Sequence, residues 1–269
     1  MSAQTRSEIE ELLSRHGLAP KRWLGQHFLA DANITRKIVA LAGIGPGDRV
    51  VEIGSGTGTL TRALAETGAH VIAYEVDPGL GAVLEEVTVG LDVDIRVEDV
   101  MRVDFAEALE GEGWSLVANL PYNVGTPVIL DLLRDVPAVN RFVVMVQREV
   151  AERFVARASS EAYGLPSVIA AIYGEARIAF RVPPQVFVPP PRVESAVVLI
   201  ERKPAPPEAS RAVELARAGF GQRRKMLRRS LANVLGEPVT RLEQAGLDPT
   251  ARAEDLSPDD YLKLARAQP

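Results

Sequence analysis

The segment Asn119-Leu-Pro-Tyr-Asn123 carries the groups best suited to chemistry in this chain, and it follows an apolar run typical of a buried strand. Pro121 lacks an N–H and biases Leu120 toward an extended backbone, so the Leu120 carbonyl is predicted to be a free acceptor. The Asn119 side-chain oxygen is a second acceptor, and Tyr122 adds a flat aromatic face. Two acceptors beside an aromatic ring suit a planar amine such as the exocyclic nitrogen of adenine. The alternative is a strand–turn junction capped by Asn119.

A glycine-rich loop lies earlier in the chain, between a predicted strand and a predicted helix. The backbone amides of such loops approach a bound ligand closely. The loop reads Gly54-Ser-Gly56-Thr-Gly58 and continues with Thr59, so it lacks the third glycine of the NAD-binding fingerprint. The alternative for these glycines is a tight strand-to-helix turn without a ligand.

Two acidic residues occupy positions that could hold a nucleoside. Glu75 lies 21 residues after Gly54, the spacing at which an acid accepts hydrogen bonds from ribose hydroxyls. Asp99 follows the next strand and is a candidate acceptor for an adenine amine, with a helix N-cap as the alternative. Asp77 precedes Pro78 and is expected to be a cap. The loop and the acids predict a nucleoside-containing ligand, and their spacing favours S-adenosylmethionine over NAD.

Each of these groups lies at the end of a strand in a repeating pattern of strands and helices. We predict strands at residues 49–53, 70–76, 93–97, 114–119, 141–146, 177–182 and 195–200. Their alternation with helices predicts an α/β fold with a doubly wound, mostly parallel Rossmann-like sheet. Ligands of such sheets bind beyond the carboxyl ends of the strands, where the glycine loop, Glu75, Asp99 and Asn119 all fall.

The chain is predicted to contain two domains. Residues 1–202 form the catalytic domain, which begins with a helical segment of about residues 1–43. A proline-rich linker follows at residues 203–207. Beyond it the pattern is purely helical, with predicted helices at 209–218, 224–235, 240–244 and 257–265. We therefore expect a small helical domain at 203–269.

Composition excludes several classes of protein. The chain has no cysteine, so disulfides, thiolate zinc sites and iron–sulfur clusters are excluded, and a reducing compartment is indicated. Its three histidines lack the spacing of metal ligands, so no metal is expected. No apolar run reaches the roughly 18 residues of a membrane span, and the polar start is unlike a signal peptide. We expect a cytoplasmic protein with no membrane contact and, since no heptad run demands a partner, a monomer.

Charge is unevenly distributed along the chain. The net charge is −5, yet residues 220–229 contain five cations and no acid. A basic patch on an acidic body is compatible with RNA binding, and a solvated basic helix face is the alternative. We name residues 223–229 the basic segment. Its cations, which are candidate RNA contacts, are Arg223, Arg224, Lys225, Arg228 and Arg229.

Taken together, the motifs closely resemble the small-subunit ribosomal RNA adenine dimethyltransferase family, known in bacteria as KsgA. The resemblance spans nearly the whole chain, and the combination of motifs is far more specific than the glycine loop alone. They are Leu24-Gly-Gln-His-Phe-Leu29, the loop from Glu52 to Thr61, Asn119-Leu-Pro-Tyr-Asn123, Gln147-Arg-Glu149, the proline-rich run from Val182 to Pro191, and Phe220-Gly-Gln-Arg-Arg-Lys-Met-Leu227. Two departures are His27 where the family usually has Asn, and Ser55 where it often has Pro.

The resemblance implies roles for individual residues. Gln26, His27 and Leu29 are expected to close over the methionine end of S-adenosylmethionine, with Gly54, Gly56 and Gly58 lining the loop. Glu75 is expected to take the ribose and Asp99 the adenine, with Asn119 where cofactor and target meet. Asn119 and the Leu120 carbonyl would bind the target amine, and the base would stack between Tyr122 and Phe187, for which core aromatics are the alternative. Further RNA contacts are expected from Arg22, Arg148 and Arg153.

The implied activity is dimethylation of two adjacent adenines near the 3′ end of small-subunit ribosomal RNA, in an assembling small subunit. Three rivals remain open. The first is a large-subunit adenine methyltransferase of the antibiotic-resistance type, and the second is a non-catalytic assembly or transcription factor on the same fold. The third, an NAD enzyme, is disfavoured because the fingerprint fails and no hydride-transfer constellation is recognisable.

Overall fold

The computed structural model describes residues 4–122 and 124–267, except for the side chain of Arg22. Asn123 of the predicted site segment thus lies outside the described residues. The chain divides into two compact units. The first contains the residues up to Ala151 together with Arg177–Glu201, and the second contains Glu152–Ala176 together with the residues from Arg202 onward.

A seven-stranded sheet forms the centre of the first unit, in the order β4-β3-β2-β5-β6-β9-β7. Its strands β2 to β6 pair in parallel and β9 runs antiparallel to β6, which confirms the predicted doubly wound, mostly parallel fold. The strands are β2 (Arg49–Ile53), β3 (His70–Glu75), β4 (Val93–Val97), β5 (Trp114–Asn119), β6 (Val139–Gln147), β7 (Gly174–Val182) and β9 (Ser195–Arg202).

Two short strands form a separate two-stranded sheet that the sequence pattern does not predict. They are β1 (Phe28–Leu29) and β8 (Phe187–Val188), which pair antiparallel. All four residues are buried, so both faces of this ribbon contribute to the core. With two residues each, the strands are too short to show alternation in the sequence.

Local signals explain where the helices begin. Asp31 caps α2 by accepting hydrogen bonds from the Asn33 and Ile34 amides, and Asp77 caps α4 ahead of Pro78 at its first turn. The helices are α1 (Arg6–Arg15), α2 (Ala32–Ala42), α3 (Thr59–Ala65), α4 (Pro78–Val87), α5 (Phe105–Ala108), α6 (Gly125–Asp135), α7 (Arg148–Val155), α8 (Leu165–Tyr173), α9 (Ala209–Gly221), α10 (Leu227–Ser230), α11 (Pro238–Gln244) and α12 (Pro258–Arg266). None of the described helices is long and apolar enough to cross a membrane.

The second unit differs from the predicted helical domain in its extent. It includes residues 152–176 in addition to the C-terminal residues, because α8 packs against α9 and α12. The boundary expected at residue 203 therefore misses a helix that is earlier in the chain. Long-range packing of this kind leaves no mark in local composition.

The predicted continuous helix at 224–235 is wrong. Residues 222–225 form a turn, and only α10 is helical between α9 and residue 235. The Leu227 amide donates to the Ala251 carbonyl and the Arg228 amide to the Pro249 carbonyl. These bonds draw the backbone toward residues 249–251 and prevent a helix from continuing through the basic segment.

Candidate active site

A cavity of about 330 Å³ opens at the carboxyl ends of the parallel strands. Its walls come from the segments that follow β2, β3, β4 and β5, together with the loop before β1. This is the edge at which doubly wound sheets bind their ligands. Among the predicted site residues, those that line it are Gln26, His27, Leu29, Gly54, Gly56, Glu75, Asp99, Asn119, Leu120 and Tyr122.

Close contacts at this cavity require glycine at two positions of the loop. Gly54 has φ +74°, and a Cβ there would lie 2.8 Å from Pro121 Cδ. Gly56 has φ +57°, and a Cβ there would lie 2.9 Å from Phe28 Cδ1. Both positions therefore exclude a side chain.

Gly58 has a different role from the one the sequence predicts. It does not line the cavity, and a Cβ on it would meet Val87 Cγ2 at 2.6 Å. Gly58 therefore permits the close approach of α4 to the start of α3. Its predicted place in the ligand-facing part of the loop is not supported.

Glu75 is buried beside the loop and bonds to backbone amides on both sides. Its Oε2 accepts from the Gly56 amide at 2.8 Å, and its Oε1 accepts from the Asp77 amide at 3.0 Å. Burial raises the pKa of the Glu75 carboxyl, although these two hydrogen bonds oppose the rise. Each carboxylate oxygen can accept a further bond, so Glu75 can hold the loop and still bind a pair of hydroxyls.

Asp99 combines the two roles between which the sequence left a choice. Its Oδ1 accepts from the Met101 amide at 3.0 Å, so it caps the 3-10 turn Val100–Arg102. It also lines the cavity, and its side chain is 46% exposed. The second carboxylate oxygen lies 3.9 Å from Arg102 Nε and is accessible to a ligand.

The side chain of Gln26 is engaged within its own loop. Its Oε1 accepts from the Lys21 amide at 2.8 Å, and its Nε2 donates to Asp77 Oδ2 at 3.1 Å. Lys21 Nζ also bonds to Asp77 Oδ1, at 2.8 Å. Asp77 is thus a cap, as expected, and also the anchor of the loop. Gln26 lines the cavity, but its amide is occupied in fixing the loop to α4.

Asn119 is oriented by a single hydrogen bond. Its Nδ2 donates to the His27 carbonyl at 3.1 Å. A carbonyl only accepts, so the nitrogen must face His27 and the side-chain oxygen is left as an acceptor. The Leu120 amide donates to the Met145 carbonyl at 3.1 Å, while the Leu120 carbonyl receives no hydrogen bond from the described residues. The predicted pair of acceptors is therefore present at the cavity.

The His27 ring has a defined tautomer. Its Nδ1 lies 2.7 Å from the Pro189 carbonyl, which can only accept, so the proton is on Nδ1 and Nε2 is an acceptor when the ring is neutral. The ring centroid lies 5.6 Å from that of Tyr122, with the planes tilted by 30°. The Tyr122 hydroxyl in turn forms a 2.8 Å hydrogen bond with Ser195 Oγ. These contacts hold the Tyr122 ring at the cavity wall.

Phe187 is not brought to the cavity. Its side chain is fully buried in the core cluster that also contains Leu29 and Ile34, and its backbone pairs with Leu29 in the β1–β8 ribbon. A stacking partner must present a face to the base, so this arrangement does not support the predicted role. The core-aromatic alternative describes the position of Phe187.

Glu52 is a cavity residue that the sequence analysis did not single out. It is 1% exposed, and its Oε2 has no hydrogen-bond partner among the described residues. Burial raises the pKa of the Glu52 carboxyl to about 8, and neighbouring Glu75 adds to the rise. The available signal was an acid inside an otherwise apolar strand, directly before the glycine loop.

The cations of the basic segment are exposed in the second unit. Arg223 pairs with Glu254 at 2.6 Å, whereas Arg224, Lys225 and Arg229 make no ion pair with the described residues. Arg228 is also exposed. The structure thus leaves several cations of the segment available to a partner.

The three other predicted RNA contacts differ from one another. Arg148 pairs with Glu194 at 2.9 Å, and Arg153 is exposed. The side chain of Arg22 lies outside the described part of the structure. No group of acidic and histidine side chains in the described residues has an arrangement that could hold a metal ion.

A doubly wound sheet with a glycine loop and buried acids at its carboxyl edge defines the class of Rossmann-like enzymes that bind a nucleoside-containing ligand. Comparison with known proteins gives the family. The ribosomal RNA adenine dimethylase family matches residues 18–268. A ribosomal RNA small subunit methyltransferase A from Phenylobacterium zucineum is 46% identical, with 99% of this chain and 94% of that protein covered. The chain belongs to the ribosomal RNA adenine dimethylase family, as the motifs predict.

Two solved structures share the fold. A dimethyladenosine transferase from Plasmodium falciparum aligns with a TM-score of 0.74 at 24% identity, covering 88% of this chain and 96% of that one. The 23S rRNA methyltransferase ErmE aligns with a TM-score of 0.68 at 24% identity, covering 89% of this chain and 98% of that one. At this level of identity the similarity establishes the fold and does not separate the two RNA substrates.

Proposed function

We propose that the protein transfers methyl groups from S-adenosylmethionine to the exocyclic N6 amines of two adjacent adenines near the 3′ end of small-subunit ribosomal RNA. The observation that carries the proposal is the orientation of Asn119, whose side-chain oxygen and the Leu120 carbonyl form two acceptors at the cavity beside Tyr122. The relative named as a small subunit methyltransferase supports this choice of RNA. Since small subunits are assembled in the bacterial cytoplasm, we place the protein there and expect it to act as a monomer.

The cavity fits S-adenosylmethionine on two counts. Gly54 and Gly56 form part of the cavity wall from backbone alone, since a Cβ at either position would meet Pro121 or Phe28 at less than 3.0 Å. Glu52 and Glu75 are buried acids without a cationic partner among the described residues. A ligand that carries positive charge would favour their ionised forms, which burial disfavours. In this arrangement Glu75 takes the ribose and Asp99 the adenine amine. The bound cofactor supplies a methyl group already activated on a sulfonium.

Asn119 and Leu120 then act on the nucleophile. The lone pair of an adenine amine is delocalised into its ring, which makes the nitrogen a weak nucleophile. Hydrogen bonds from the amine to the Asn119 oxygen and the Leu120 carbonyl favour a pyramidal nitrogen with an available lone pair. Positioning and oriented dipoles supply most of the acceleration, and the amine proton leaves after attack.

The target base must leave its stack to reach these acceptors. Tyr122 offers it one aromatic face, held in place by Ser195 and His27. Phe187 is buried in this arrangement, so we assign the stacking contact to Tyr122 alone. The exposed cations of the basic segment bind RNA phosphates, and this contact predicts binding that weakens as salt rises.

The proposal is tested by transfer of labelled methyl from S-adenosylmethionine to unmethylated small ribosomal subunits, with large-subunit RNA in parallel. We expect label as dimethyladenine on small-subunit RNA only. Label on large-subunit RNA would show that the protein is instead a large-subunit adenine methyltransferase of the antibiotic-resistance type. Binding to the small subunit without any label would indicate an assembly factor that has lost the reaction. Running the assay with naked RNA as well as with subunits identifies the form that is the substrate.

A further inference from the structure

Trp23 is exposed to a degree that is unusual for its size. The side chain is 76% exposed, and it lines the edge of the cavity from the 3-10 turn Arg22–Leu24. The other tryptophan, Trp114, is 3% exposed and packs beneath the Arg49 guanidinium at 5.3 Å. An exposed indole at a cavity edge gains nothing from the core, so its presence there points to a ligand.

The turn that carries Trp23 is fixed in place. Lys21 Nζ and Gln26 Nε2 bond to the two oxygens of Asp77, at 2.8 and 3.1 Å. The two ends of the turn are also joined directly, since the Lys21 amide donates to Gln26 Oε1 at 2.8 Å. Asp77 follows Glu75 by two residues, so the turn is anchored beside the end of β3. Trp23 is therefore held at the cavity by a turn that is anchored to the residues following β3.

Other exposed apolar side chains line the same cavity. Val76, which follows Glu75, is 45% exposed, and Met101, which follows Asp99, is 49% exposed. Both line the cavity with Trp23. Three exposed apolar side chains and the Asp99 acceptor in one cavity match a planar heterocycle that carries an exocyclic amine. Such a ring offers a flat face to the indole and a donor to the carboxylate.

We propose that Trp23 stacks on the adenine of S-adenosylmethionine and closes the nucleoside end of the cavity. This assignment rests on the proposed function, because it takes S-adenosylmethionine as the ligand. Trp23 is a positioning residue for the cofactor and does not touch the transferred methyl group. An RNA base stacked on Trp23 is the competing occupant.

The test uses S-adenosylhomocysteine as the probe, with calorimetric titration and selective excitation of tryptophan fluorescence. The protein contains two tryptophans, so in W23A and W23F only buried Trp114 emits. We expect the probe to quench the wild-type emission and this quenching to be lost in both variants. Because W23A removes the stacking contact and W23F retains a smaller ring, W23A should weaken binding of the probe by about tenfold and W23F by less. V89A, at an 82% exposed valine outside the cavity, is the matched control and should bind as wild type.

Each other outcome has a distinct meaning. Failure of the wild type to bind the probe would overturn the proposed function. Normal binding by wild type and W23A alike, without quenching, would overturn only the role of Trp23. Quenching by a small-subunit RNA fragment, and none by the probe, would assign the indole to RNA. Because Trp23 is exposed, unchanged melting temperatures of W23A and W23F serve as the check on folding.

Discussion

The cavity and the basic segment hold ionisable groups in opposite surroundings. Glu52 and Glu75 are buried without a cationic partner among the described residues, and burial raises the pKa of both carboxyls. Arg224, Lys225 and Arg229 are exposed and make no ion pair with the described residues. Ionising a buried carboxyl is costly unless a ligand of matching charge is bound, so such a group is selective for its ligand. Exposed charge attracts any polyanion and is screened by salt, so it adds affinity with little selectivity.

The largest effect is expected at the target end of the cavity. Asn119→Ala removes one of two acceptors and the hydrogen bond to the His27 carbonyl. We expect the single-turnover methylation rate to fall by about 10²- to 10³-fold while the affinity for S-adenosylhomocysteine changes by about threefold or less. Rapid-quench transfer and calorimetric titration measure the two quantities.

Asn119→Asp is the matched variant for this prediction. It retains an acceptor oxygen but cannot donate to the His27 carbonyl, so a partial recovery of rate is expected. Equal losses of methylation rate and cofactor affinity in Asn119→Ala would contradict the assignment of Asn119 to the target amine.

The second-largest effect is expected in the pH dependence of stability. It tests whether Glu52 is a buried acid of the cavity without a partner. Because burial raises the pKa of Glu52 from 4.5 to about 8, the folded protein holds this proton more tightly than the unfolded chain. The stability that protonation contributes is present below pH 4.5 and is lost as pH rises through about 8. Wild type should therefore lose up to a few kcal/mol across this window.

Glu52→Gln removes the titration. We expect its melting temperature, relative to wild type, to rise by several degrees between about pH 5 and about pH 9. Differential scanning calorimetry without ligand measures this difference. Parallel curves for the two proteins would show that the Glu52 carboxyl already has partners in the folded protein that offset its burial. The comparison between the cavity and the basic segment would then rest on Glu75 alone.

The third effect belongs to the basic segment. Arg224→Glu with Arg229→Glu should weaken binding to small-subunit RNA by about tenfold or more at low salt and reduce the salt slope by about two. Filter binding across a salt series measures both values. Arg36→Glu with Lys37→Glu, on the exposed face of α2, gives the same change in net charge. Equal weakening by this control pair would show that net charge alone, and no particular segment, governs RNA affinity.

The smallest effect separates two roles of one carboxylate. Asp99 and Asp104 both cap a short helical turn, but only Asp99 lines the cavity. Since each alanine variant loses a cap of the same kind, we expect only Asp99→Ala to weaken the binding of S-adenosylhomocysteine, by about threefold. Calorimetric titration of both variants decides the matter. Equal affinities would leave Asp99 as a cap without a ligand contact.

The elements that the sequence predicted well have strong local signals. Strands β2 and β4 match their predicted bounds, because each is a short apolar or alternating run. The Asp31 cap of α2 and the Asp77 cap of α4 follow from the residue types at helix starts. The cavity was predictable for the same reason, since Gly54, Glu75, Asp99 and Asn119 each end or follow such a strand.

The elements that it missed depend on distant residues. The break in the predicted helix 224–235 comes from backbone bonds to residues 249–251. The burial of Phe187 comes from pairing with β1, and Gly58 faces α4 and not the cavity. In each case the partner lies far along the chain, so no local pattern of hydropathy or propensity reports it.

The β1–β8 ribbon also bears on how the protein is made. Phe28 pairs with Val188, so the first strand of the chain finds its partner only after most of the first unit has been synthesised. Arg6 adds a second link of this kind, because its guanidinium donates to the Gln185 and Phe187 carbonyls. Contacts of such high contact order form late and slow folding. During translation, the β1–β8 ribbon can therefore form only after residue 188 has been synthesised, and the part of the cavity wall that Phe28 and Leu29 supply is not fixed by its partner strand before then.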